Sequence, residues 1–285
     1  MANIRLIRRR IRSIQSTSKI TKAMEMIATS KMRRTQMRAL EGRPYADMMR
    51  EVLADLAAQP CAPGELHPML QRRPVKNVSL VHITSDRGLC GGLNSNMNRR
   101  SSAFIIGQAV PVTPITVGRK GRDFMRRHRL KIRAEFTSLG DRPSLLTIAP
   151  IARVISEDYM AGLVDEVYLG YNRFVSVTVQ RPVVERLLPV EPATLERHAN
   201  VEYIYEPSGL AVLAELLPRF VEMQVYHAIL EAIASEQSAR MVAMRNATDN
   251  AHDMIRDLTL SYNKARQDMI TKEILDIVGG AAALE

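Results

Sequence analysis

Residues 241–269 read MVAMRNATDNAHDMIRDLTLSYNKARQDM, and this stretch decides the fold. Every third or fourth residue along it is apolar or small, and the spacings alternate between three and four without exception. The members of this stripe are Met241, Met244, Thr248, Ala251, Ile255, Leu258, Tyr262, Ala265 and Met269. Such spacing places the side chains on one side of an α-helix and is typical of a coiled-coil seam. The sequence therefore predicts a long C-terminal helix that packs lengthwise against a second helix.

This helix is predicted to continue beyond the stripe in both directions. No Gly or Pro occurs between Pro218 and Gly279, so we expect one helix from about residue 209 to 285, on the order of 110 Å long. After Met269 the apolar residues move to a neighbouring line, as expected where a helix outlasts its partner. The residues on that second line are Ile270, Ile274, Ile277, Ala281 and Leu284.

The N-terminus is predicted to supply the partner helix. Its first apolar stripe consists of Ile4, Ile7, Ile11 and Ile14. We expect the stripe to continue through Ile20, Met24 and Ile27, and the first Gly or Pro is Gly42. The basic, serine-bearing start is also typical of a mitochondrial transit peptide, but the unbroken stripe favours a helix that the protein keeps. An antiparallel pair of the terminal helices follows.

The middle of the chain has the alternating strand and helix pattern of a Rossmann-like α/β domain. Strands are predicted over 75–85 and 111–118, and helices over 94–107, 119–128 and 145–162. Two further strands, 164–172 and 174–190, are predicted to pair as a hairpin that turns at Asn172 and Arg173. The predicted fold class is therefore α/β with long helical arms. We predict four segments: a coiled-coil helix over 1–56, a loop over 57–74, the central α/β domain over 75–206 and a coiled-coil helix over 207–285.

The charge of the chain is concentrated at one end. The net charge is +10, and residues 1–50 contain 13 Lys and Arg against three Asp and Glu, an excess equal to that of the whole chain. A basic arm on a neutral body indicates a polyanionic partner, which leaves nucleic acid, anionic lipid and an acidic protein surface open. A basic coiled-coil protein that binds nucleic acid is the alternative function. Against it, residues 1–40 contain no aromatic side chain for base stacking. No apolar run is long enough to span a membrane, so any membrane association is expected to be indirect.

Only one stretch suggests catalysis, the Gly-rich SDRGLCGGLNSN at 85–96. It lacks both GK[ST] and GxGxxG, which a phosphate-binding loop would need. Cys90 has no predicted base, and Cys61 lies too far along the chain to form a paired-cysteine zinc motif with it. The six histidines show no metal-ligand spacing, and His82 is predicted to be a hydrogen-bonded core residue. We therefore predict no catalytic residue, no cofactor site and no metal site.

Four stretches together resemble the gamma subunit of F-type ATP synthases. They are IRSIQSTSKITKAMEMIATSKMRR at 11–34, SDRGLCGGLNSN at 85–96, YIYEPS at 203–208, and the segment from Ala239 to Leu284. The stretches follow the order of the family and span the chain. The resemblance implies the fold predicted above, with the helix pair inside a ring of three alpha and three beta subunits.

The resemblance also implies a function without catalysis in this chain. A proton-driven c-ring in the membrane turns gamma, and the rotating shaft drives the beta subunits through the states that make and release ATP. The implied partners are three alpha and three beta subunits, an epsilon subunit and the c-ring, with one gamma per complex, no nucleic acid and only indirect membrane contact. The implied location is the cytoplasmic face of a bacterial plasma membrane.

Contact residues are implied by the same motifs. In the family, residues matching Arg266, Gln267, Thr271 and Glu273 contact beta subunits, and residues matching Met24, Arg87 and Cys90 face an acidic lever loop on beta. The positions that match the foot of the shaft, near the epsilon subunit and the c-ring, are Tyr203, Tyr205 and Glu206.

Overall fold

The computed structural model describes residues 4–58, 67–190, 206 and 208–282. These residues fall into two compact units, the coiled-coil unit (Met1–Ala28 with Arg240–Glu285) and the α/β unit (Thr29–Ala239). The helices are α1 (Ile4–Ala58), α2 (Leu93–Gly107), α3 (Arg119–Arg127), α4 (Leu145–Met160) and α5 (Gly209–Ala282). The strands are β1 (Val78–Ile83), β2 (Val112–Val117), β3 (Ala134–Phe136), β4 (Glu166–Phe174) and β5 (Gln180–Leu188). The boundaries of the four predicted segments remain predictions.

In the coiled-coil unit, α1 and α5 run antiparallel. Contacts join Ser18 to His252, Thr21 to Thr248 and Glu25 to Arg245, so residue numbers rise along one helix as they fall along the other. The seam predicted for α5 is confirmed as far as Ala265, because each of its members up to that point is buried or half-buried. The last member, Met269, is exposed.

On α1 the predicted seam is confirmed up to Ile14 and wrong at Ile20 and Ile27. Ile20 and Ile27 are 60% and 54% exposed, whereas Met24 between them is half-buried. The buried positions are instead Ser18, Thr21, Glu25 and Ala28. The buried positions keep the 3-4 spacing, but polar and small residues stand there. Their polar groups can be buried because polar groups on α5 lie opposite and bond to them.

A five-stranded sheet in the order β3-β2-β1-β4-β5 forms the centre of the α/β unit. All neighbouring strands are parallel except β4 and β5. The predicted hairpin is confirmed, but its turn is not at Asn172 and Arg173, which pair within the ladder to Pro182 and Arg181. The chain turns instead over 175–179, where the Val179 carbonyl accepts from the N–H of Val175 and of Ser176. The edge strand β3 was not predicted, because a strand of three residues is too short to show the alternation of apolar and polar residues.

The two faces of the sheet are covered by different helices. Val81 and Ile83 of β1 belong to the main core, together with Ile151 of α4 and Leu217 of α5. Because side chains alternate along a strand, His82 faces the opposite way, toward α2. The parallel strands β1 and β2 thus bring the turns before α2 and α3 to the same edge of the sheet.

Candidate partner-contact surfaces

Polar side chains form one section of the α1–α5 seam in the coiled-coil unit. The hydroxyl oxygens of Thr21 and Thr248 are 2.7 Å apart and both residues are buried. Next to them, Ser18 Oγ lies 3.4 Å from His252 Nε2. Polar pairs inside a coiled coil favour the one register in which they meet, so this section fixes how the two helices align.

The same section contains a buried carboxylate, Glu25, which is 6% exposed. It accepts hydrogen bonds from Lys22 Nζ at 3.0 Å and from Arg245 Nε at 3.1 Å. The hydrogen bond from Lys22, opposed by burial and assisted by Arg245, holds the pKa of Glu25 below its usual value. Because its charge is balanced within the helix pair, Glu25 is already paired before any partner binds.

The outer side of α1 carries apolar side chains among basic ones. Ile20, Met26 and Ile27 are exposed, and the nearby Lys19 and Lys22 are exposed as well. Met24, which the family resemblance assigns to a partner contact, lies half-buried next to this surface. A helix face of this composition, apolar side chains in a cationic surround, suits a partner surface that is apolar with acidic groups nearby.

The end of α5, residues 266–279, is exposed on every side and is called the α5 tip below. The predicted contact residues Arg266, Gln267, Thr271 and Glu273 all lie exposed on it. Its exposed apolar side chains are Met269, Ile270, Ile274, Leu275, Ile277 and Val278. The contacts across the seam show why: in their antiparallel register, Ile4 at the start of α1 reaches only to about residue 266.

In the α/β unit, the Gly-rich stretch forms a turn over 85–92, called the contact turn below. Three side chains fill its inside. Asn94 Nδ2 donates to Ser85 Oγ at 2.7 Å and to Cys90 Sγ at 3.3 Å, and Ser85 Oγ donates to the carbonyl of Arg87 at 2.6 Å. The stretch forms the tight turn predicted from its glycines, and side-chain hydrogen bonds hold it together.

The contact turn is also fastened from outside by Asp86. Its carboxylate accepts from the backbone N–H of Arg119 at 3.1 Å and of Ser138 at 2.9 Å. These amides follow β2 and β3, so one side chain connects the turns after three neighbouring strands. Sequence reasoning missed the roles of Asp86 and Asn94, and the only signal for them is a pair of short polar side chains flanking a Gly-rich run.

The predicted residues of the contact turn differ in exposure. Arg87 is exposed, whereas Cys90 is 2% exposed and faces the inside of the turn. Leu89, between them, is 61% exposed and has a positive φ of 64°. Glu206 is exposed, and Tyr203 and Tyr205 lie outside the described residues. The contact roles of all these residues remain predictions.

The predicted core histidine is confirmed. His82 is fully buried, with Nε2 2.9 Å from Asn98 Oδ1 and Nδ1 2.9 Å from Ser101 Oγ. Burial lowers the pKa of His82 to about 4, so the ring is neutral at pH 7. Both ring nitrogens hold α2 against β1, the two elements that flank the contact turn.

Among the described residues, no cluster of three or more His, Cys, Asp or Glu side chains is arranged to hold a metal ion. In the same part of the chain, no helix is both long and apolar enough to cross a membrane.

Comparison with known proteins gives matches over the whole chain. A family model described as ATP synthase matches residues 3–284. The ATP synthase gamma chain of Dehalococcoides mccartyi (strain CBDB1) is 61% identical over 284 residues, covering 100% of both chains. That of Chloroflexus aurantiacus (strain ATCC 29366 / DSM 635 / J-10-fl) is 50% identical over 288 residues, covering 100% of this chain and 99% of the relative.

Solved structures show the same fold. A chain of the central stalk and c-ring structure of the Tetrahymena thermophila mitochondrial ATP synthase is 27% identical, with a TM-score of 0.60 over 80% of this chain and 99% of that one. A chain of the Euglena gracilis mitochondrial ATP synthase, in an OSCP/F1/c-ring structure, is 22% identical, with a TM-score of 0.69 over 99% and 94%.

Proposed function

The chain belongs to the ATP synthase gamma-chain family, and we propose on that basis how its two units divide the work of a rotating shaft. It is the central shaft of a rotary ATP synthase and transmits torque between the proton-driven c-ring and the ring of alpha and beta subunits. The coiled-coil unit acts inside that ring. The α/β unit presents the contact turn and supports the foot.

One observation carries this division, the exposed apolar surface of the α5 tip. A helix with six exposed apolar side chains is not stable facing water along its length, and no second helix among the described residues covers it there. A surrounding sleeve of other subunits covers such a helix on all sides at once. A partner that bound one face only, such as nucleic acid along a basic stripe, would leave the remaining faces exposed.

Catalysis belongs to other subunits of the complex in this proposal. This chain is a subunit of an enzyme complex, and its Gly-rich turn lacks the GK[ST] and GxGxxG patterns of a phosphate loop. Inside that turn, Asn94 bonds to Ser85 and to Cys90. His82 is buried and engaged with α2, so it is not available as a base. The proposed role of gamma is mechanical. Because the shaft is asymmetric, it contacts a different beta subunit at each stage of its rotation.

The contact residues follow from the motifs and their exposure. We assign Arg266, Gln267, Thr271 and Glu273 of the α5 tip to contacts with beta subunits, because all four side chains are exposed there. Met24 and Arg87 are assigned to the acidic lever loop of beta, and Cys90, which the same motif includes, is buried and supports the turn from inside. Tyr203, Tyr205 and Glu206 are assigned to the foot, where epsilon and the c-ring attach.

The composition of the outer α1 surface suits a sliding contact. Basic residues attract an acidic partner over a distance, and this attraction changes little as the surfaces move past each other. A close ion pair, by contrast, would favour one angle and resist turning. Apolar side chains such as Met24, Ile20 and Ile27 give contact without that preference.

The chain is peripheral in this arrangement, held at the membrane by the c-ring. Because the similar relatives include bacterial gamma chains, we place it at the cytoplasmic face of the plasma membrane. The four-segment division predicted from the sequence is part of the same proposal, with residues 1–56 and 207–285 as the helices of the shaft.

The test is to purify the complex from its native membrane through a tag on this chain. We expect alpha and beta subunits at three copies each per gamma, with epsilon and the c-ring, and ATPase activity in the complex. The matched control is the same tag on a second copy that carries Ile274→Glu and Ile277→Glu, which should recover less alpha and beta because charges enter the apolar α5 tip. Recovery of nucleic acid in place of alpha and beta would support the alternative function and contradict this one.

A further inference from the structure

Four segments of the α/β unit meet at the edge of the sheet where its parallel strands begin. Strands β1 to β4 all run in the same direction, and α2, α3 and α4 each end shortly before the next strand starts. Backbone hydrogen bonds join neighbouring segments there, from Val78 N–H to the Pro111 carbonyl and from Asp165 N–H to the Asn77 carbonyl. This edge lies opposite the contact turn, which follows the end of β1. The strand-start edge, as it is called below, consists of residues 72–77, 106–111, 127–133 and 158–165.

The strand-start edge is rich in positive charge. Its four segments contain seven Lys and Arg against two Asp. Of the seven, Arg73 is half-buried. The other six are exposed, and they are Arg72, Lys76, Arg127, Arg129, Lys131 and Arg133.

The carboxylates at this edge are engaged within the chain. Asp158 is 6% exposed and accepts from Arg133 at 3.0 Å from Nε and 2.8 Å from Nη2. Asp165 is buried and accepts from the backbone N–H of Lys76 at 2.7 Å and of Asn77 at 3.0 Å. Because the two acidic groups are turned inward, the surface that remains toward solvent is cationic.

Apolar side chains stand exposed among these cations. Ile106 at the end of α2 is 82% exposed, and Leu163 after the end of α4 is 56% exposed. Val75 and Met160 are exposed as well. Cationic side chains around protruding apolar ones are typical of surfaces that bind an anionic lipid layer, since the charges attract phosphates and the apolar groups enter the headgroup region.

The edge is rigid enough to present these groups together. Arg73 donates to the Tyr159 carbonyl at 3.2 Å, and its guanidinium lies 5.1 Å from the centre of the Tyr159 ring. The Tyr159 hydroxyl in turn donates to the Gln71 carbonyl at 3.1 Å. The segment before β1 is thereby held against the end of α4. Tyr159 itself is buried, so it offers no ring for base stacking to a nucleic acid.

We propose that the strand-start edge contacts the anionic lipid headgroups of the membrane around the c-ring. Arg127 and Lys131 attract the phosphates, and Ile106 and Leu163 enter the headgroup layer. The inference rests on the proposed function, in which the contact turn faces the catalytic ring, so the opposite edge of the sheet faces the membrane. The c-ring still attaches the chain, and the lipid contact adds to that attachment. A fluid lipid layer suits a rotating shaft because mobile headgroups attract the edge equally at every angle.

The first experiment measures vesicle binding by the soluble complex of alpha, beta, gamma and epsilon, in which the α5 tip is covered by its partners. The vesicles contain phosphatidylcholine alone or mixed with phosphatidylglycerol, and binding is read by flotation. We expect binding only to the anionic vesicles and its loss at high salt, which screens the charges. Equal binding to both vesicles, or binding to neither, would overturn the inference.

Matched variants test which residues carry the binding. Arg127→Gln with Lys131→Gln should weaken it about 25-fold, at about fivefold for each charge near the lipid surface. The control is Arg99→Gln with Arg100→Gln, which removes two exposed charges from the middle of α2 and should bind like the wild type. Equal losses in the two double variants would show attraction by overall charge alone and would contradict the proposed edge.

The apolar part has its own matched pair. Ile106→Ser should weaken binding about fivefold, because an inserted apolar side chain is lost. Leu146→Ser is the control, since Leu146 is 87% exposed at the other end of α4, away from the strand-start edge. A larger loss for Leu146→Ser than for Ile106→Ser would overturn the assignment of the surface.

The second experiment maps the contact in the complete complex, reconstituted in a membrane. A phosphatidylglycerol analogue with a diazirine near its headgroup is irradiated, and the crosslinked peptides of this chain are identified by mass spectrometry. We expect lipid on peptides from 127–133 and 158–165. Protein crosslinks from these peptides to epsilon or the c-ring, without lipid, would overturn the inference. A chain that fails to assemble with alpha and beta would instead overturn the proposed function, and the inference with it.

Discussion

His82 makes the stability of the α/β unit depend on pH in the mildly acidic range. The ring is buried between β1 and α2, and burial lowers its pKa from 6.5 to about 4. Since Asn98 Oδ1 accepts from Nε2, the neutral ring donates there and accepts the Ser101 hydroxyl at Nδ1. A second proton would turn Nδ1 into a donor inside the core.

The size of the effect follows from the two pKa values. Below pH 6.5 the unfolded chain binds a proton at His82, whereas the folded chain does not do so until the pH approaches 4. The contribution of the neutral ring to stability is therefore complete above pH 6.5 and is lost as the pH falls toward 4. The unfolded and folded pKa values differ by about 2.5 units, which corresponds to about 3 kcal/mol of unfolding free energy. About 2 kcal/mol of this is lost between pH 7 and pH 5.

The perturbation is His82→Gln, which does not titrate but keeps an amide that can donate and accept. We expect it to cost about 1–2 kcal/mol at pH 7 through imperfect packing, and to remove the His82 share of the pH dependence. From pH 7 to pH 5, the wild type should then lose about 2 kcal/mol more free energy of unfolding than the variant.

Urea unfolding followed by tyrosine fluorescence measures this, because the chain contains eight tyrosines and no tryptophan. Curves at several pH values between 4.5 and 7 give the free energy for each protein. His128→Gln, at an exposed histidine of the same unit, is the control and should follow the wild type. Parallel pH dependences of wild type and His82→Gln would refute the reasoning.

Four further outcomes are expected. Thr21→Val or Thr248→Val alone should destabilise the coiled coil by about 1 kcal/mol, and the double variant by less than the sum, as judged by amide hydrogen exchange in the complex; additive costs would contradict a direct pair. Met24→Lys should assemble normally but pump fewer protons per ATP, since a new ion pair of about 1–3 kcal/mol would favour one rotary position. Met24→Leu should stay near wild type, and an unchanged ratio of pumping to ATPase rate in the same vesicles for Met24→Lys would refute the charge mechanism. Gly118→Ala should fail to fold stably, because its Cβ would lie 2.1 Å from the Thr84 carbonyl oxygen, and a wild-type melting curve by circular dichroism would disprove this. The isolated chain should show no saturable ATP binding in calorimetry, and a measurable affinity would contradict the proposed division of roles.

The α5 seam could be predicted because each of its members is apolar or small and the period never breaks. The α1 seam could not be followed beyond Ile14, since the buried Thr21 finds its partner 227 residues away in Thr248. Apolar periodicity favoured Ile20 and Ile27 instead. Those residues are exposed in this chain, and in the proposed function they face another subunit. A rule that assigns periodic apolar residues to an internal core cannot distinguish the two cases.

Local sequence predicts the structure less well where loops from different strands meet. The VSVTV run at 175–179 has the composition of a strand, yet the chain reverses there because β5 must pair with β4. The position of Arg87 and Cys90 in a turn could be predicted from the glycines. That Leu89 is strained and that Asp86 reaches Arg119 and Ser138 depends on backbone groups far along the chain, so no local pattern indicates it.

The α5 tip also sets a condition on the cell that makes this chain. Among the described residues of this chain, none covers it. Any copy made in excess of its alpha and beta partners keeps six apolar side chains exposed to water. Chaperones and proteases act on chains with such exposed apolar surface. Balanced synthesis of the subunits is therefore a physical requirement of this helix, and surplus shafts should be short-lived.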